Sequence, residues 1–301
     1  MIVDMLPTQH MKVIKSEPNI LVGEITEPDK WFNQARFGGL VVAAASVADM
    51  VNFTKKEWPS PARGMSSNSE RDGGFHFFRD FNHAVETYTK NPSSVRQFEI
   101  HDAPLKSLSD VGNDVFYDVT GDFIDIGRVI EGTPENVGNF VMGNPRNLFV
   151  NIIVNTSCPW YVSKEMINYR SARILRLVDW LEAQHIRTSI TGIEATECGV
   201  CYVVCKEYHD PVDLNSLAVV THSDFLRRII FRQNEYSKTW QSGYGTATST
   251  QHWNFLEESN DDALHLTVDW FDSKENIEKA FGTFEEKIEE YVAEGMFLDA
   301  Y

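Results

Sequence analysis

Two stretches of the chain combine cations with flat rings. One holds Arg227, Arg228, Arg232 and Lys238 with Tyr236, Trp240, Tyr244 and Trp253. The other holds Arg36, Lys55, Lys56, Trp58, Arg63, Arg71, Phe77 and Arg79. Single-stranded nucleic acid needs both ingredients. Cationic side chains meet the phosphates, and each base stacked on a ring contributes roughly 1–3 kcal/mol. The residues therefore predict a sequence-tolerant site for single-stranded DNA, with Trp58, Trp240, Tyr244 and Trp253 stacking bases. The competing reading makes the rings core and the arginines solvated, and it is the commoner arrangement because large rings are highly buried on average.

Other chemistries are less well supplied. Cys198, Cys201 and Cys205, with Cys158, could offer the four thiolates of a structural zinc. Cys201 and Cys205, however, fall on an expected strand, where they are too far apart to share one ion easily. Buried free thiols are expected instead, and neither metal nor cofactor. Asp118, Asp122 and Asp125 suit turns better than a divalent-ion site. His76, His101, His222 and His252 have no partner that the sequence identifies, and no serine or cysteine sits in a glycine-flanked elbow. Phosphate-loop and dinucleotide fingerprints are absent from the sequence. No catalytic residue is assigned, and a non-enzymatic role is expected.

These side chains need a scaffold, and the clearest one runs from Leu148 to Cys205. Leu148–Val154 is an apolar, β-branched run of the kind found in strands covered on both faces. Lys164–Gln184 reads as a helix with Ser163 as N-cap. Met166, Ile167, Ile174, Leu177, Val178 and Leu181 make its apolar face, and Arg170, Arg173 and Arg176 form a stripe that winds away from it. Strands follow near Thr188–Ile193 and Val200–Cys205. Thr221–Arg232 reads as a helix burying Phe225, Leu226, Ile229 and Ile230, with Arg227, Arg228 and Arg232 outward. Leu264–Phe271 alternates like a strand, and Ser273 can cap a last helix to about Val292. The fold class expected is α+β: a central strand–helix–strand–strand unit, added N-terminal elements and an acidic C-terminal helix. The expected divisions are an arm over 1–30, a core over 31–272 and an acidic helix and tail over 273–301.

The chain has 301 residues and a net charge of −17. Residues 254–301 carry 14 acids against 3 bases, and residues 97–139 carry 9 against 2. Residues 30–96 and 225–253 each come to +3, so the two ring-bearing blocks stand apart from the acid. No stretch is long and apolar enough to cross a bilayer, since Gly38–Val51 is short and contains Asp49. The start lacks the basic residues of a signal peptide. A cytoplasmic protein without membrane partners is expected, with a homo-oligomer left open.

Several segments carry a resemblance. They are Asn151–Ser157, Arg170–Glu182, Asp213–Asn215 and His222–Arg228, together with Gly121–Gly127 and Phe75–Glu86. They resemble an uncharacterised phage-encoded protein family, similar to the single-stranded-DNA-binding RNA polymerase cofactor of some phages that encode their own polymerase. The likeness covers roughly residues 75–232 and includes no catalytic motif. It implies a transcription cofactor that coats template or recruits a phage RNA polymerase. The acidic tail ending Met296-Phe297-Leu298-Asp299-Ala300-Tyr301 fits partner recruitment by such binders. An alternative of another class is an acidic protein-binding module, or DNA mimic, that captures a basic host protein. A third, an enzyme using the cysteine or aspartate clusters, would show metal on analysis of the purified protein.

Overall fold

The computed structural model describes residues 6, 8–31, 39–58, 81–90, 115–118, 123–124, 137–140, 148–159, 161–184, 186–196, 199–211, 217, 225–234, 248–253 and 263–297. Two compact units emerge. The first comprises Met1–Ala103 and Phe149–Gly282, and the second Pro104–Leu148 and Thr283–Tyr301.

The first unit is built on a seven-stranded mixed sheet. In chain order its strands are β1 (Met11–Glu17), β2 (Ile20–Ile25), β3 (Leu40–Ala44), β7 (Phe149–Asn155), β8 (Arg187–Thr196), β9 (Gly199–Lys206) and β10 (Leu264–Val268). Their spatial order is β1-β2-β3-β9-β8-β7-β10. The N-terminal stretch, expected as an arm with one strand over Ile20–Ile25, thus supplies two strands. β7 runs parallel to both β8 and β10, whereas β8 and β9 are antiparallel. The second unit holds a three-stranded antiparallel sheet of β4 (Val115–Asp118), β5 (Phe123–Ile124) and β6 (Val137–Phe140), in the order β4-β6-β5.

The helices are α1 (Pro28–Trp31), α2 (Val47–Glu57), α3 (Phe81–Lys90), α4 (Lys164–Ala183), α5 (Phe231–Asn234) and α6 (Lys274–Phe297). A π-helical turn, Phe225–Ile230, leads into α5. Residues 274–282 of α6 belong to the first unit and the rest to the second. Serines start three of these helices: the hydroxyls of Ser46, Ser163 and Ser273 accept from the N–H of Asp49, Met166 and Asn276. Each bond satisfies one of the orphan donors of a first turn.

Strand alternation divides the core. Val42, Ala44, Cys201 and Val203 face Met50, Val51 and Phe53 of α2, Phe81, Ala84 and Val85 of α3, and Ile229 and Ile230. On the opposite face Val41, Ala43, Val200, Tyr202, Val204, Ile193 and Ala195 pack with Trp31 and Trp253. β3 and β9 approach closely at Gly199, where a Cβ would run into the Leu40 carbonyl. β1 ends the sheet with a bulge: Val13 pairs with Gly23 and Lys15 with Val22, leaving Ile14 as the extra residue. Val13 and Ile14 are exposed there. Among the described residues no helix is long and apolar enough to cross a membrane.

Candidate binding site at the carboxyl edge of the sheet

Three described members of the cation-and-ring blocks, Arg228, Arg232 and Trp253, are buried. Arg228 and Arg232, expected outward, are only 2% and 1% exposed. Arg228 lies in the π turn next to buried Ile229 and Ile230, and Arg232 in the short helix that follows. Arg232 lies 4.1 Å over the Phe81 ring, a buried cation–π contact. Trp253 is 3% exposed in the core beside Trp31 and Tyr202, so it has no face for a base. The expectation that these three side chains meet DNA is corrected on those grounds.

Lys55 and Lys56 are exposed on α2, and Trp58 follows half-buried, edge-on to Phe53 at 5.4 Å. Lys56 pairs with Glu17 at 3.2 Å, and Lys15 pairs with Glu57 at 2.6 Å. Carboxylates therefore already face two cations of this surface. Arg36, Arg63, Arg71, Phe77, Arg79, Tyr236, Lys238, Trp240 and Tyr244 lie outside the described residues, as does the Arg227 side chain. So do Cys198, His76, His101, His222, Asp122 and Asp125.

Burial pushes the Cys201 thiol well above its ordinary range and the Cys205 thiol up to about 12. Both are thiols at neutral pH and poor nucleophiles or ligands. Among the described residues no group of three His, Cys, Asp or Glu could hold a metal.

A different cluster assembles where β7, β8 and β10 end. The chain leaves β7 through α4 to reach β8 on one side, and β10 arrives much later on the other. Asn155, the last residue of β7, is fully buried. Its Nδ2 donates to the Thr248 carbonyl at 2.9 Å and to Asp269 Oδ1 at 2.7 Å. Its Oδ1 accepts from Ser157 N–H at 3.0 Å and from Ser157 Oγ at 2.5 Å. Asp269, just beyond β10, also accepts from Trp270 N–H at 2.8 Å. Its second oxygen accepts from Ser249 Oγ at 2.6 Å and Thr250 N–H at 2.9 Å.

Arg170 of α4 reaches the same strand ends from below. One of its nitrogens donates to the carbonyls of Asn155 at 3.0 Å and Asp269 at 3.2 Å. Burial lowers the pKa of this guanidinium, and Cys158 and Asp269 act in the opposite sense. Arg170 and Arg173, in the stripe expected to wind away from the apolar face, are both buried. Arg173 pairs with Glu278 of α6 at 3.2 Å and lies over Phe281.

Beside this cluster stands an aromatic pair. Tyr161, in the turn between β7 and α4, is 56% exposed. It meets Trp270, next to Asp269, with ring centroids 6.0 Å apart and planes at 84°. No composition or periodicity signal singles out these two rings, because they come from segments far apart in sequence.

The oxygens of Ser157, Thr248 and Asp269 are of the hard type that magnesium or calcium takes. Asn155 Nδ2 already stands between the Thr248 carbonyl and Asp269, and only one carboxylate contributes. Acid–base chemistry is poorly served too, since Ser157 Oγ donates to an amide oxygen rather than to a base. What the arrangement does well is hold two strand ends and a loop rigid beside two rings.

The chain belongs to the family described as a domain of unknown function (DUF7192), whose model matches residues 42–296. No curated protein and no solved structure matches it.

Proposed function

We propose that this member of the family is a non-catalytic binding module that docks a protein partner on the carboxyl edge of its sheet. The observation that carries this reading is the exposed Tyr161 set against Trp270, the residue that follows Asp269 of the buried cluster. Tyr and Trp are enriched at the centres of protein interfaces. A rigid base beside them lowers the ordering cost of association. The buried thiols with raised pKa and the amide-bound Ser157 argue against a nucleophile.

The second reading is sequence-tolerant binding of single-stranded DNA in support of phage transcription, in the host cytoplasm, with an acidic C-terminal helix and tail recruiting a phage RNA polymerase. Exposed Lys55 and Lys56 beside Trp58 favour it. The net charge of −17 opposes it, because long-range repulsion slows approach of a polyanion.

One experiment separates the two. A photo-crosslinking phenylalanine derivative, which keeps an aromatic ring at position 161, is placed there or at position 55 of the full chain. The first reading expects protein adducts from 161, identified by mass spectrometry and reproduced with the purified partner. The second expects adducts from 55 to labelled oligo(dT), with a yield that falls steeply as salt rises. Adducts only from 55 would overturn the first reading.

A further inference from the structure

We propose that the group seated at this edge is a cation: an arginine or lysine side chain from a basic segment of the partner protein. The inference rests on the docking reading above and names its chemistry. Tyr161 and Trp270 stand at 84°, so their rings form two perpendicular walls. The face of an aromatic ring is negative, and a cation within about 6 Å of it is attracted. A guanidinium also stacks flat on such a face, which favours arginine.

The surroundings point the same way. Asp272 and Glu275, just after Trp270, are exposed. Lys274, between them in sequence, is held by Glu165 at 2.6 Å. The whole chain carries −17, which steers basic partners inward and acidic ones away. The other strongly exposed large apolar side chains among the described residues, Val13 and Ile14, are aliphatic and lie on β1, with no ring to receive a charge.

The probe is a fluorescein-labelled arginine-rich peptide, read by anisotropy against the full chain. A neutral Gly/Ser/Leu peptide and an oligo-glutamate peptide run beside it. We expect the arginine peptide alone to bind. Tyr161→Ala should weaken that binding about two- to thirtyfold, the range of a cation–π contact. Tyr161→Phe should keep it. Circular dichroism and thermal melts of both variants should match the parent, because the ring is exposed. Equal binding by Tyr161→Ala and the parent, or preference for the neutral or acidic peptide, would overturn the inference. Protein adducts from position 161 that map to a neutral or acidic segment would overturn it while leaving the docking reading intact. An absence of protein adducts from 161 removes the docking reading itself.

Discussion

Asn155 joins three parts of the chain through one carboxamide: the end of β7, the 248–250 loop and the residue after β10. Its amide nitrogen is a donor wedged between two oxygen acceptors. Asn155→Asp removes that donor and sets two carboxylates face to face. At neutral pH the variant should lose about 3–5 kcal/mol, the cost of an uncompensated buried charge. The same change turns the oxygen cluster toward a hard cation. Magnesium or calcium should therefore raise the melting temperature of the variant and leave the parent unmoved, with a chelator reversing the gain. A variant whose melt ignores both ions would show that the donor can be lost without creating a cation site. None of this was legible in sequence: Asn155 and Asp269 are separated by 114 positions, and their pairing follows from strand order alone.

Elements with a strong local signal were readable. β2 occupies Ile20–Ile25 as its β-branched run suggests, and α4 begins after Ser163 and ends one residue short of the expected Gln184. The π turn over Phe225–Ile230 was not, because Phe225, Leu226, Ile229 and Ile230 also fit a 3.6-residue period. Nor was the junction of α4 with the sheet, where Glu182 is the hub. It accepts from Thr188 N–H at 2.8 Å and Thr188 Oγ1 at 2.7 Å and pairs with buried Lys206 at 2.9 Å. Burial pushes its carboxyl up, but the bonds from Thr188 and Lys206 outweigh that, and its pKa sits below the ordinary value. A depressed folded pKa means stability that is present above the unfolded pKa and lost as pH falls through the folded one. Glu182→Gln should cost about 3–5 kcal/mol at pH 7, because it leaves a buried lysine uncompensated. Denaturant titrations across pH should show the gap to the parent narrowing in acid. A gap that stays constant below the carboxylate range would count against this role.

Charge governs the chain as a whole. A net −17 with a pI near 4.9 implies self-repulsion in the folded state at neutral pH. Salt shortens the reach of that repulsion to about 8 Å at physiological ionic strength. Raising sodium chloride at pH 7 should therefore raise the melting temperature of the isolated protein, while it weakens capture of an arginine-rich peptide. A melt that falls with salt would mean that local ion pairs, such as Lys15 with Glu57 and Lys56 with Glu17, outweigh the global term.

The extra residue in β1 has an implication for solubility. An outermost strand with free N–H and C=O groups is a template on which other chains can grow. Ile14 kinks that ribbon, and Lys12 and Lys15 salt it with charge, so a regular ladder cannot extend past it. Deleting Ile14 would straighten the ribbon without touching the core. Light scattering and thioflavin fluorescence on the deletion variant should then report slow fibrillar growth at concentrations where the parent stays dispersed.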